Sequence, residues 1–468
     1  MDQYGPLGMT TLERLARFVC GFRLTDLPAA AVDRLALHLF DALGAAIAGG
    51  RLDEGRRLGN LAATGGATLG ASAADIAVPG LGLRAEPDWA IVIACGACRS
   101  TEMDDIHLEA CVTPGAVAGQ VALTLASSGA IASPRGLLEA VAVGYEVMVR
   151  TGLAIDGPSV LGEGIWPTLA AAPLGACATA ARAFGLDEER TAGALATAAA
   201  MASGTGVAGA ATTTTRWATL GLAARAGVQS ARLSSLDMIG NANLLDVSRR
   251  IAGTPVSSER LLADAGRAFR LTETGLKPYP IARQALAAVE AARDLARAGA
   301  LEAAGIESVT VEAPARACAV VDRPSMPETR FAALVSGPYL VAVALVQPNG
   351  IADVGLAAPC SSRAVAALVP RIRWRSAADL DALYPAVWAG RVRVRTTRGN
   401  ELVREVRHPP GDIASPLDRR SVIEKLAAAC APLVSRSMLE RLADRVCDLR
   451  SAPELAPFWD LQWIRART

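Results

Sequence analysis

From Thr11 to about Leu271, apolar residues recur every three to four positions, as in Leu12, Leu15 and Val19 and again in Leu35, Leu39 and Leu43. That interval lines one face of an α-helix. Residues 136–153, 168–184 and 188–203 read as long helices whose Ala and Gly content lets helix axes approach closely. The GLDEER step after Phe184 predicts a stop at Gly185 and a restart with acids in the first turn. Near Lys277 the pattern changes. A helix over 281–297 is followed by ESVTVEAP, where Val309 and Val311 alternate as in a strand. A second helix fits 332–346. GRVRVRTTRGNELVREVRHP then predicts two strands around an Arg398-Gly399-Asn400 turn. Ser415-Pro416 looks like an N-cap with proline at the first helical position, and helices follow through Val422, Leu426, Leu433 and Leu439 to about Leu449. The expected fold is mainly α: a helical domain from both chain ends, 1–275 and 411–468, with a smaller α+β lid inserted over 276–410.

Composition changes this picture little. About a fifth of the residues are Ala, and 47 basic against 46 acidic residues leave a formal charge of +1 with no block of one sign. Neither nucleic acid nor an anionic membrane has an electrostatic footprint on such a chain. The strongest apolar run, 334–346, is too short to span a bilayer and contains Gly337-Pro338. The first residues, MDQYGPLGMTTLERLARF, lack a basic stretch leading into an apolar one, so a cytoplasmic protein is expected. Nine scattered cysteines make no disulfide framework. Cys95 and Cys98 form a lone C-x-x-C without the further ligands zinc needs, so they are expected to be buried packing residues and no metal or other cofactor is expected.

Two scarcities carry more. The chain has three histidines, His38, His107 and His408, and two lysines, Lys277 and Lys425. In so arginine-rich a chain, a surviving lysine points to a need for a group that can lose its proton. His38, in an apolar helix, reads as a hydrogen-bonded core or interface residue, and His408 as a structural turn residue. Residues 212–215, four threonines, read as a mobile polar loop.

The densest polar cluster is TEMDDIHLEACVTPG, residues 101–115, where Glu102, Asp104, Asp105 and His107 fall together. One reading is helix capping with solvated charge. The other is acid–base work, since clustered carboxylates raise one another's pKa and histidine titrates near neutrality.

These residues and several others carry a resemblance to the MmgE/PrpD family, which includes 2-methylcitrate dehydratases, cis-aconitate decarboxylases and iminodisuccinate epimerases. LALHLFDALGAAIAGG is similar to the family's opening helix and EMDDIH to its carboxylate-rich segment. AVAVGYEVMVRTG, PLGACATAARAFGLDEER, TRWATLGLAARAG, KPYP, SGPYLVAVAL and HPPGDIASPLD follow in the family's order. The resemblance implies a cleft between the helical domain and the lid, a small-molecule substrate, no cofactor, and a homodimer. It places Asp104, Asp105, His107, Lys277 and Tyr339 as candidate catalytic residues. Glu102, Met103 and Tyr279 are candidate substrate contacts beside them.

The departures are informative. Thr113, Trp166 and Leu286 stand where the family has histidines, and Arg216 and Thr219 stand where it has Lys and His. Losing charge-assisted contacts of roughly 1.5–3 kcal/mol each disfavours tricarboxylate binding. Trp and Leu make the cleft more apolar. The leading expectation is a lyase, a dehydratase or dehydrating cyclase, acting on a larger, less acidic carbonyl compound. In it His107 or Lys277 is the base, Asp104 and Asp105 orient that base or act as the acid, and Tyr339 or Lys277 steadies the enolate. An epimerase, decarboxylase or dehydratase of a small acid, with Arg216 and Arg283 replacing lost cations, is the alternative. A non-catalytic binding protein is the third reading.

Overall fold

The structure, a computed structural model, describes residues 8–64, 75–204, 215–299, 303–355 and 362–455; residues 212–214 of the threonine loop lie outside these. The body is built from α1 (Thr11–Gly21), α2 (Ala29–Gly50), α3 (Asp53–Thr64), α4 (Pro87–Ser100), α5 (Ala118–Ser127), α6 (Pro134–Ala154), α7 (Pro167–Phe184), α8 (Glu188–Ala200) and α9 (Arg216–Ser235). The mainly α class read from the apolar spacing is the observed one. Helix ends follow local chemistry. α7 starts on Pro167 and stops at Gly185 in the left-handed region, φ +66°. Asp187 then caps α8 by accepting the N–H of Arg190.

α2 is the central rod, buried without a break from Leu35 to Gly50. Around it the helices pack on small residues. A Cβ added at Gly144 in α6 would lie 2.1 Å from Thr179 Oγ1 of α7 and 2.6 Å from Ala118 Cβ of α5. α12 (Arg419–Cys430) and α13 (Arg436–Cys447) return to lie on α2, and Val422, Leu426, Leu439 and Val446 join the body's core.

The lid has its own core, gathered between α10 (Arg283–Arg297), α11 (Gly337–Val346) and a four-stranded sheet. Its strands are β1 (Ile306–Ala313), β2 (Ile372–Ser376), β3 (Gly390–Thr396) and β4 (Glu401–Val406), in spatial order β4-β3-β1-β2. Only β1 and β2 run parallel. Val309 pairs with Val394 and Val311 with Val392, so the alternating valines share the inner face. On the outer face Glu312 binds Arg375, Arg391 and Arg393.

Three details differ from the sequence reading. The helix read over 332–346 is two, because Ser336 caps a new helix at Gly337-Pro338 after Arg330–Leu334 has ended. The helix expected to start at Pro416 starts at Arg419, since Asp418 supplies the cap to Ser421 N–H. Ser415 closes a turn instead, its carbonyl accepting Gly411 N–H. β2 was not anticipated.

The chain enters and leaves the lid through one joint. Leu276 N–H donates to Gly411 O, and Gly411 has φ +95° with the Leu276 carbonyl where a side chain would begin, so this position requires glycine. Just before the joint, a two-residue ladder pairs Ile106 with Gly275 and His107 with Thr274. That ladder delivers the polar 101–115 segment to Lys277.

Replacing Gly144 with Ala is expected to destabilise the protein by about 1–3 kcal/mol, the usual cost of overpacking a filled contact. Gly305, with nothing within 4 Å of an added Cβ, is the control. Chemical-denaturation midpoints of Gly144→Ala and Gly305→Ala check the difference.

Candidate functional site

The site begins where α4 stops. The hydroxyls of Ser100 and Thr101 bond back to the carbonyls of Ala97 and Cys98, closing the helix end. Glu102 then takes φ +56°, a left-handed conformation that non-glycine residues hold only when their surroundings insist. The reversal turns Glu102 and Asp104 toward the same two cations. Arg99 Nη1 lies 2.8 Å from Glu102 Oε2 and 3.2 Å from Asp104 Oδ1. Lys277 Nζ lies 3.4 Å and 3.5 Å from those same oxygens.

All four charges are buried, and burial sets their proton affinities. Burial opposes the charge on Glu102, but Arg99, Lys277 and Arg216 outweigh it and hold its carboxyl at about 2. Asp104 is raised, because its burial exceeds what Arg99 and Lys277 return. Lys277 is lowered, burial exceeding the help of Asp104 and Glu102. Burial thus pushes Asp104 and Lys277 in the direction that brings both toward neutrality.

Beside this cluster is a cavity of about 310 Å³ between body and lid. Arg99, Glu102, Thr113, Trp166 and Arg216 line it from the body, Lys277 from the joint at the start of the lid, and Arg283, Arg323, Phe331 and Trp388 from further along the lid. Arg216 sits in an aromatic enclosure, its Cζ 4.7 Å from the Trp166 ring, 4.6 Å from Trp217 and 4.7 Å from Phe331. Burial brings its guanidinium down to about 10, still charged at neutral pH. Arg283 pairs with Asp412. No carboxylate among the described residues lies within 4 Å of Arg216 or Arg323. Among the described residues, the buried Thr113 hydroxyl and Arg283 Nη1 have no hydrogen-bond partner. A wider groove of about 940 Å³ beside α1 is lined by exposed arginines, Arg14, Arg17 and Arg267.

The structure places the remaining sequence candidates elsewhere. Asp105 faces inward, accepting from Tyr145 OH at 2.7 Å and Gly115 N–H at 2.9 Å and lying 3.0 Å from His38 Nδ1. His107 also leaves the cavity. Ala110 N–H donates to its Nδ1, which puts the ring proton on Nε2, 3.2 Å from Glu273 Oε2. Both ring nitrogens are therefore engaged. Met103 is buried, with its carbonyl accepting Lys425 Nζ. The Thr219 hydroxyl donates to Thr215 O. Tyr279 lies under Arg293, 4.4 Å from its ring. Leu286 and Tyr339 belong to the lid core, and Leu286 also touches a small cavity behind Lys277. Glu102, Thr113, Trp166, Arg216, Lys277 and Arg283 are the candidates brought together at the cavity wall, with Asp104 directly behind.

Sequence reasoning missed Arg99, Arg323, Phe331 and Trp388. Arg99 left a signal, its three-residue spacing to Glu102 at a helix end. The lid residues left none. Cys95 and Cys98 are free and buried, and no group of His, Cys, Asp and Glu among the described residues is placed to hold a metal.

This architecture can be set against known families. The MmgE/PrpD N-terminal domain profile matches residues 13–258, and the MmgE/PrpD C-terminal domain profile matches residues 279–449. The chain belongs to the MmgE/PrpD family. No curated protein matches it. MmgE/PrpD proteins include dehydratases and other lyases, which makes a dehydratase-like enzyme the coarse function. Among the described residues of this MmgE/PrpD chain, no single helix is long and apolar enough to cross a membrane.

The Glu102 carboxyl ties stability to acidity. Its folded value of about 2 lies below the ordinary 4.5, so the unfolded chain binds more protons between them and stability falls as pH drops through that window. Glu102→Gln should remove this part of the slope. Urea midpoints of both proteins across that window check it; parallel slopes would remove Glu102 as the cause.

Proposed function

We propose that this MmgE/PrpD protein is a dehydratase-type lyase whose substrate is a hydroxy acid carrying an apolar arm. One observation carries the reading: Arg216 and Arg323 face the cavity with no carboxylate of the protein within 4 Å among the described residues. The Arg216 guanidinium, close to three aromatic rings, has N–H donors to offer a carboxylate. Trp166, Leu161, Val320, Val335 and Trp388 complete the wall and suit an alkyl or aryl arm rather than further carboxylates. The arginines draw the reading toward an acid, and the aromatic wall keeps it away from citrate-like polyanions.

Elimination needs a base at the carbon beside the carboxylate and a proton for the departing hydroxyl. Lys277 serves both steps. As the free amine it takes the α-proton onto Nζ, and the carboxylate draws in the developing charge against Arg216. The C–O bond breaks, the hydroxide accepts the proton from the Lys277 ammonium, and water and the unsaturated acid remain. Lys277 ends as the amine it was. Glu102 and Asp104 keep it in place, and burial lowers its proton affinity, which favours the free amine over the ammonium. Asp105 and His107 serve as struts, pinning the 105–115 loop and the Glu273 side chain.

The test incubates the purified protein with 3-hydroxy acids bearing alkyl or aryl groups, beside 2-methylcitrate, citrate and cis-aconitate. Formation of the conjugated acid is followed by ultraviolet absorbance and mass spectrometry. Lys277→Met should lower turnover by about 10²–10⁴-fold. Arg216→Leu should raise KM and also lower kcat, because Arg216 binds the carboxylate and meets the charge that develops on it. Turnover of the corresponding neutral ketone at an equal rate, indifferent to Arg216→Leu, would overturn the acid substrate class.

A further inference from the structure

We infer that Lys425, a residue of the C-terminal helix α12 that does not line the cavity, is the positioning residue for the Glu102–Asp104 turn and, through that turn, for Lys277. Its Nζ lies 2.7 Å from Asp41 Oδ1 on α2 and donates to the Met103 carbonyl at 2.7 Å. One ammonium thereby joins three parts of the fold: the last helices, the central rod and the turn. Met103 stands between the two carboxylates that hold Lys277. Glu102 needs an outside restraint to keep its left-handed backbone, φ +56°. Arg99 supplies that restraint from the cavity side and Lys425 from behind.

Lysine is required at this position for a steric reason. α12 is pressed against α2, where a Cβ added at Gly44 would lie 2.4 Å from Leu426 Cδ1, and Cys430 Sγ donates to Gly44 O. Within that fixed separation a compact ammonium reaches both acceptors, whereas a planar guanidinium is larger and directs its donors in a fixed fork. The chain otherwise uses arginine almost everywhere and keeps lysine at only two places. Those two lysines lie on opposite sides of one turn.

The groups around both are these. Lys277 is faced by Arg99, Glu102 and Asp104, and shares the small cavity at its back with Glu273, Arg283 and Asp412. Lys425 is faced by Asp41, beyond which lie His38 and Asp105. The inference reaches beyond the proposed reaction, and its test needs no substrate. A failed turnover assay would remove the hydroxy-acid reading and leave this one standing.

Having two lysines, the full chain labelled with ¹⁵N-lysine gives two side-chain Nζ resonances, so Lys277 can be titrated directly. Lys425→Arg keeps the charge and changes the size of the head group and the directions of its donors. Its expected effect is a fall in the Lys277 proton affinity of about tenfold, one pH unit in the midpoint, because the carboxylates draw away. Asp41→Asn removes one anchor without changing side-chain shape and should move the midpoint in the same direction, which secures the test if the arginine variant does not fold. Circular dichroism confirms that each titrated variant is folded. A Lys277 midpoint that stays at the wild-type value, or rises, would overturn the inference.

Discussion

Arg99, Glu102, Asp104 and Lys277 are four buried charges that have to neutralise one another, and much of the structure is arranged so that they do. A buried carboxylate or ammonium without a partner costs several kcal/mol, and breaking a buried pair by removing one member typically costs about 3–5 kcal/mol. Two of these charges belong to the turn after α4, and the Lys277–Glu102 contact bridges 175 positions of sequence. Their meeting therefore depends on the short ladder of Ile106–His107 with Thr274–Gly275 and on the glycine joint at Gly411. Behind them, Asp105 binds the Gly115 N–H, so the chain between the two is a closed loop and not a free connection.

A close-packed body makes this precision possible. Ala- and Gly-rich helices bury little area per residue, but they let backbones approach until a single added Cβ would collide, as at Gly144 and Gly44. The result is a rigid wall that holds the turn in its left-handed form. The lid meets that wall through a few arginines. Arg316 donates to Pro158 O, Arg330 to Ser100 O, and Arg283 pairs with Asp412. Each of these sets a permanent charge against a carbonyl or carboxylate at the boundary, whereas Arg216 and Arg323 have no carboxylate within 4 Å among the described residues.

The fold was legible where its cause was local. Apolar spacing marked the long helices, alternating valines marked β1 and β3, and Gly185 and Asp187 marked the break between α7 and α8. Errors arose where two local signals competed. Ser415-Pro416 resembles a helix start, but Asp418 caps better, and Gly337-Pro338 divides a run that apolar spacing joins. β2 was invisible because only Ile372 and Trp374 are buried in it and its partner is parallel and distant. In the site, the acidic cluster was legible as a cluster, while the direction of each side chain was not. Asp104 and Asp105 are neighbours in sequence, yet one faces Lys277 and the other Tyr145, because the chain alternates sides after the left-handed residue. His107 was read as a proton carrier, a role whose geometry depends on the Ala110 N–H that sequence spacing does not disclose.

The missing imidazoles and the surviving lysines have one physical explanation. Among the side chains lining the cavity, the arginines remain charged at neutral pH, the carboxyl of Glu102 is held at about 2, and burial pushes the Cys111 thiol up to about 12. None of these passes a proton readily near neutrality. Lys277 differs, because an amine carried into the same dry surroundings loses proton affinity where a guanidinium stays charged. On the proposed reading, threonine and tryptophan at the positions of the family's histidines leave a wall that grips an anion and an apolar arm and concentrate proton transfer on Lys277. A site with a single proton carrier depends on that carrier's exact neighbours more than a site with several. That dependence puts the turn bearing Glu102 and Asp104, fastened from behind at Met103, at the centre of the proposed chemistry.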